Sequence, residues 1–222
     1  MSDNARLAGM RLLVSAGPTF EDIDPVRFLG NRSSGKIGFA LAAEAAAMGA
    51  QVTLIAGPVS LPTPAGVRRI DVRRALEMRA AVLAELPGQD VFIAAAAVAD
   101  YMPEHTAAQK IKKTGDTLTL VLVKTPDILA EVAGHPERPR CVVGFAAETG
   151  DLERYALGKL REKRLDMIAA NDVSQPGVGF ECDDNALSVF TADARQEIPF
   201  GPKSQVARAL LVLVADRLES AL

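Results

Sequence analysis

The chain has 222 residues, 49% apolar and 24% charged, the proportions of a soluble globular domain large enough to bury a core without disulfide or metal staples. Its formal charge of −3 leaves no basic excess for general phosphate-backbone binding, so nucleic acid is not an expected partner. Two cysteines, Cys141 and Cys182, no C-x-x-C pair, no signal-like N-terminus and no apolar run longer than Phe39–Ala50 exclude a disulfide scaffold and a membrane span, and fit a reduced, cytoplasmic protein.

Residues 1–9 are expected to be flexible. Arg11–Ser15 predicts a short buried strand, and Gly35–Gly49, Ala-rich and closed by a glycine, predicts a helix. Gln51–Ala56 reads as a strand, Gly57–Gly66 with its three prolines as a loop, Val67–Ile70 as a strand, and Arg73–Leu86 as a helix stopped at Pro87-Gly88. Val91–Ala96 is apolar throughout, which suits a central strand covered on both faces. Pro126–Val132 predicts a helix with Thr125 as N-cap and Pro126 in its first turn. Cys141–Ala146 and Asp166–Ala170 read as buried strands around a helix over Asp151–Arg164, and Ser204–Leu218 as a closing helix. Thr117–Lys124 looks like a β segment, and Ala186–Ala192 with Glu197–Phe200 like a hairpin around Asp193-Ala194-Arg195. The alternation predicts an α/β fold: a three-layer, Rossmann-like, doubly wound and mostly parallel sheet with a peripheral antiparallel β extension, in one domain over residues 1–222. Exposed β edges must be covered or paired, which makes the extension a candidate dimer contact.

Ligands of such folds bind at the C-terminal ends of the strands, and the chemically informative loops here all follow predicted strands. The loop after the first strand ends in Ser33-Ser34-Gly35-Lys36 at a helix start, with Arg27 and Arg32 nearby. Free N–H groups, the helix dipole, two hydroxyls and a lysine suit a phosphate or another anion; a serine N-cap with a packing glycine explains the same residues structurally. Gly30, four residues, Gly35 and Lys36 mimic a Walker A motif, but Ile37 stands where Mg²⁺ needs a hydroxyl, and Gly30 lies about fifteen residues beyond the strand. No G-x-G-x-x-G fingerprint supports a dinucleotide site.

The central strand runs into Ala96-Ala97-Val98-Ala99-Asp100, where small residues let a ligand approach the backbone. Asp100 is placed to accept from a ligand hydroxyl or amino group or to bind Mg²⁺; a helix-cap or turn carboxylate is the structural alternative. Lys110-Ile111-Lys112-Lys113 follows in a polar stretch, and residues 102–115 read as a mobile flap of the kind that closes over a triphosphate. Val143–Thr149 ends another strand, and Lys159 and Lys163, spaced i and i+4, share one helix face. His105 and His135 have no second metal ligand at zinc spacing, and no nucleophile elbow or Cys/His pair occurs. Charge neutralisation and positioning are then the available chemistry, as in phosphoryl and nucleotidyl transfer.

Taken in order, GPTFEDIDPVRFLGNRSSGKIG from Gly17, AAVAD from Ala96, KIKK from Lys110, VGFAAET from Val143 and AAND from Ala169 resemble phosphopantothenate–cysteine ligase, the synthetase half of the bacterial bifunctional coenzyme A biosynthesis protein, over about Met10 to Leu218. The resemblance implies a two-step reaction: CTP and 4′-phosphopantothenate give an acyl-cytidylate and pyrophosphate, then L-cysteine gives phosphopantothenoylcysteine and CMP. It implies Mg²⁺ with CTP, and a homodimer. Asn31 and Lys110 match the catalytic positions: Asn31 supports attack of cysteine, and the flap lysine Lys110 supports acyl-cytidylate formation. Arg27, Asn31, Ala96 and Ala97 match phosphopantothenate contacts. Asp100, Lys110, Pro126, Asp127, Ile128, Leu129, Phe145, Lys159 and Lys163 match nucleotide contacts. The family's flavin-dependent decarboxylase half is not expected here, because the chain opens nine residues before the first strand; no flavin is expected. The alternatives are a catalytically silent nucleotide- or phosphate-binding module, an oxidoreductase and a P-loop kinase.

Overall fold

Alternate positions of the apolar strands point to opposite faces of a sheet, and here both faces are buried. In Arg11–Ala16, Leu12, Val14 and Ala16 enter one core while Leu13 enters another. Val91–Ala94 repeats this, with Val91 and Ile93 in the first core and Phe92 in the second. Two-sided burial is what the continuous apolar runs predict.

The computed structural model describes residues 5–113, 115–148, 150–172 and 182–220. In chain order its elements are β1 (Arg11–Ala16), β2 (Phe20–Asp22), β3 (Phe28–Gly30), α1 (Lys36–Ala47), β4 (Gln51–Ala56), β5 (Val67–Asp71), α2 (Ala75–Glu85), β6 (Val91–Ala94), β7 (Tyr101–Pro103), β8 (Leu122–Lys124), α3 (Ile128–Ala133), β9 (Cys141–Glu148), α4 (Leu152–Glu162), β10 (Met167–Asp172), β11 (Asp184–Phe190), β12 (Arg195–Pro202) and α5 (Lys203–Ser220). One sheet has the order β12-β11-β10-β9-β6-β1-β4-β5. Its six strands from β10 to β5 are parallel, and β11 and β12 form an antiparallel edge. The first core lies under α1 and α5, through Leu41, Ala45, Leu210 and Val214. The second lies under α2, α3 and α4, through Met78, Val82, Val132 and Leu160. The result is the three-layer, doubly wound α/β sheet read from the sequence.

The differences from that reading are local. The long loop after β1 folds on itself as the β2–β3 hairpin, whose stacked Phe20 and Phe28 rings lie 4.0 Å apart under the Arg73 guanidinium. Only Leu122–Lys124 of the expected Thr117–Lys124 segment is strand, paired with β7. Thr125 does not cap α3: its hydroxyl donates to Ala99 O at 2.6 Å, and Asp127 is the N-cap, accepting from Ala130 N at 3.0 Å. Arg195 belongs to β12 rather than to the turn before it. Residues 5–9 are tied down, with Leu7 fully buried, its amide on Met48 O, and Arg6 paired with Asp216 and Glu219. No described helix is long and apolar enough to cross a membrane.

Candidate active site

The chain leaves β1 for β4 and β5, then returns to β6 on the other side of β1. The strand order thus reverses between β1 and β6, the place where open α/β sheets form a crevice. A bridge between Pro18 and Ala97 extends this seam beyond the strands, and the buried Thr19 hydroxyl accepts from Ala99 N at 2.9 Å. Behind it, Gly57 packs so closely that a Cβ there would stand 1.7 Å from Pro18 O. The backbone around the crevice is therefore fixed from several sides.

Two cavities open on the crevice. The larger, about 610 Å³, is floored by Ser15, Phe92 and Ala94, and its volume is in the range of small-molecule sites. All the residues matched to nucleotide contacts line it except Lys110: Asp100, Pro126, Asp127, Ile128, Leu129, Phe145, Lys159 and Lys163. Lys159 sits in the last turn of α4 and Lys163 is its C-cap, so both ammonium groups are placed where the helix dipole favours cations. Lys163 pairs with Asp127 at 2.6 Å. Burial pushes the Asp127 carboxyl up, but the Lys163 bond, the Ala130 amide and the two lysine charges outweigh it and hold the group below its ordinary pKa.

The smaller cavity, about 160 Å³, is lined by Ser33, Ser34, Gly35 and Lys36 together with Asn171 and Lys203. Gly35 is the N-cap of α1, with φ 75° and no side-chain cap bond; this left-handed conformation favours glycine. The Ser33 hydroxyl accepts from Gly35 N at 3.3 Å, and Lys36 pairs with Asp183 at 2.6 Å. Lys203, at the start of α5, is 7% exposed and donates to Cys182 O. Its pKa is lowered, first by burial and then by the charge of Lys36. Asn185 completes this wall. Lys203 and Asn185 escaped the sequence reading. The available signal for Lys203 was a cation in the first turn of a helix, the end the dipole disfavours.

Ala96, Ala97 and Phe145 line both cavities and so form the partition between them. Asn31 holds this partition, its Nδ2 donating to Ala97 O at 3.1 Å and Val98 O at 3.2 Å. Asn31, Arg27 and Lys110 themselves line neither cavity. Arg27 stands in the β2–β3 turn, paired with the buried Asp24, and its Nη2 donates to Ile111 O at 3.1 Å. Lys110 is exposed on the neighbouring segment. Among the described residues, no group of three or more His, Cys, Asp or Glu could hold a metal ion.

Paired cavities at the switch point, one with two lysines on its wall and one at a helix N-terminus, lie on the ligand-binding edge of a doubly wound α/β domain. A family model described as DNA/pantothenate metabolism flavoprotein C-terminal domain matches residues 7–218, and the chain belongs to that family. The coenzyme A biosynthesis bifunctional protein CoaBC of Vibrio cholerae is 53% identical over 214 residues, 96% of this chain and 54% of that protein. Its namesake in Escherichia coli K12 is 50% identical over 216 residues, 96% of this chain and 53% of that protein. The chain thus spans about half the length of the curated relatives it matches. A crystal structure of the C-terminal domain of a CoaBC protein superposes with a TM-score of 0.83 at 38% identity, covering 97% of this chain and 98% of that one.

Proposed function

We propose that the domain is a phosphopantothenate–cysteine ligase that uses CTP. The supporting observation is the adjoining pair of cavities with one shared wall. A carboxylate of 4′-phosphopantothenate must reach the α-phosphorus of a nucleotide, and both partners are anionic. Two unit charges 4 Å apart repel by about 4 kcal/mol at an effective dielectric of 20. Lys159 and Lys163 on the nucleotide side, and Lys36, Lys203 and the α1 N-terminus on the other, are placed to offset that repulsion.

In this reading a carboxylate oxygen of phosphopantothenate attacks the α-phosphorus and the bond to pyrophosphate breaks, with Lys110 closing over the phosphates. The amine of L-cysteine then attacks the acyl carbon of the acyl-cytidylate and CMP leaves. Asn31 presents its amide at the partition, where the acyl group would lie, and Arg27 holds the phosphopantothenoyl moiety. Mg²⁺ bound with the triphosphate would supply further charge neutralisation. It suits one or two carboxylates plus phosphate oxygens, and Asp100, exposed on the cavity wall, is the fitting protein ligand. A cytoplasmic homodimer completes the proposal, and the exposed Val26 in the β2–β3 turn, Phe28 on β3 and Leu122 on β8 support an apolar contact between copies.

The test is pyrophosphate release with Mg²⁺, 4′-phosphopantothenate and CTP or ATP, with and without L-cysteine. Turnover that depends on cysteine and prefers CTP is expected. No release with either nucleotide from a folded sample would favour the silent binding module.

A further inference from the structure

The turn between β2 and β3 is organised by one buried carboxylate, and the same carboxylate reaches across to the segment that carries Lys110. Asp24 is 1% exposed. Its Oδ1 accepts from Val26 N at 2.8 Å and Arg27 N at 2.9 Å, which shapes the turn. Its Oδ2 accepts from Arg27 Nε at 3.0 Å and also from Arg27 Nη2. The same oxygen accepts from Ile111 N at 3.1 Å, and Arg27 Nη2 donates in turn to Ile111 O at 3.1 Å. Asp24, Arg27 and the Ile111 peptide thus close a ring of hydrogen bonds, one residue from Lys110. Two further bonds fasten the segment to the hairpin, Ala107 N to Ile23 O and Thr106 Oγ1 to Asp22 O, each 2.9 Å.

We infer that Asp24 is a positioning residue that holds the Lys110 segment in register with Arg27, so that the group which receives one substrate and the group which closes on the other are set together. This rests on the ligase reading for what Arg27 and Lys110 receive, but the latch itself is a property of the structure. The physical reason lies in the shared donors and acceptors. An anion that draws the Arg27 guanidinium away from Asp24 also removes the bond from Nη2 to Ile111 O. The loading of Arg27 is then felt in the backbone beside Lys110. Carboxylate is needed because an amide cannot accept three charge-assisted or backbone bonds on one oxygen as strongly. The lowered pKa of Asp24, caused chiefly by the Arg27 bond, keeps the latch charged at neutral pH.

Two readouts test this. The first is trypsin cleavage after Lys112 in the full chain. Asp24→Asn is expected to raise it at least tenfold while cleavage in α5, at Arg208 and Arg217, stays as in the parent. Unchanged cleavage at Lys112, or an equal rise at all sites, would overturn the latch, whether or not the chain proves to be a ligase. If Asp24→Asn does not fold, Ile111→Pro removes the amide that Asp24 accepts, together with the side chain and backbone freedom at that position, and the same cleavage pattern is expected. The second readout is pyrophosphate release in a double-mutant cycle. A misplaced catalytic group costs on the order of 100-fold, so Asp24→Asn should lower kcat by that amount with a smaller change in KM. Combined with Lys110→Gln it should add almost nothing. Multiplying effects would show that Asp24 does not act through Lys110.

Discussion

Asn31→Asp is the substitution whose outcome separates two roles for one side chain. The amide donates from a single nitrogen to Ala97 O and Val98 O, at 3.1 and 3.2 Å. An aspartate in its place turns a donor into an anion facing two carbonyl oxygens. Each lost bond is worth about 0.5–1.5 kcal/mol, and this site is exposed, so the pair accounts for about 1–2 kcal/mol. That corresponds to roughly a 5- to 30-fold loss if the partition shifts. The partition serves both cavities, so this part of the loss appears in both half-reactions. An amide that also supports the attack of cysteine adds a loss to the second step alone. The assay is single-turnover measurement of pyrophosphate release and of phosphopantothenoylcysteine in parallel. Pyrophosphate release should fall no more than about 30-fold, and product formation should fall well beyond it. Lys110→Gln should give the opposite pattern, with pyrophosphate release itself the step that is slowed. Equal losses at both steps in Asn31→Asp, with an unchanged melting temperature, would refute the catalytic role and leave Asn31 as a support for the partition.

Lys163→Ala removes a cation whose partner Asp127 has a half-exposed side chain. The ion pair is then worth no more than about 1 kcal/mol, so the melting temperature should hardly move while the KM for CTP rises about tenfold; a large loss of stability with normal KM would contradict this. Gly57→Ala places a Cβ against Pro18 O. Backbone must move, at a cost of about 2 kcal/mol, or about 4–8 °C in melting temperature for a chain of this size, measured by calorimetry. For acid stability, Asp24 and Asp127 have pKa values lowered by folding. The unfolded chain binds their protons first as pH falls, so their contribution is complete above the ordinary value of about 3.9 and disappears below it. Melting temperature should be flat above about pH 5 and drop below about pH 4, and Asp24→Asn should blunt the drop.

The parallel core was legible because its signal is local and redundant. Gln51–Ala56 is the strand expected, Gly35 marks the start of α1 and Lys36–Ala47 its span, and Val91 to Ala94 is apolar because both faces are covered. The β2–β3 hairpin was not legible. Three-residue strands have no period to read, and this one is held by the Phe20–Phe28 stack and by Asp24, contacts that the sequence lists without pairing. The N-cap of α3 went to Asp127 rather than Thr125 because Ala99 O, distant in sequence, took the Thr125 hydroxyl.

The candidate site divides in the same way. Sequence order alone determined which residues lie near or beyond the C-terminal ends of strands, and therefore that Asp100, Phe145 and Ser33–Lys36 share one edge of the sheet. Only the tertiary structure decided that Ala96, Ala97 and Phe145 form a wall common to two cavities, and that Lys203 is buried beside Lys36. It also decided that Arg27 and the Lys110 segment meet through Asp24. Local pattern reports which face of an element is buried. Which element covers that face, and which distant donor satisfies a buried carboxylate, is set by how the chain closes on itself.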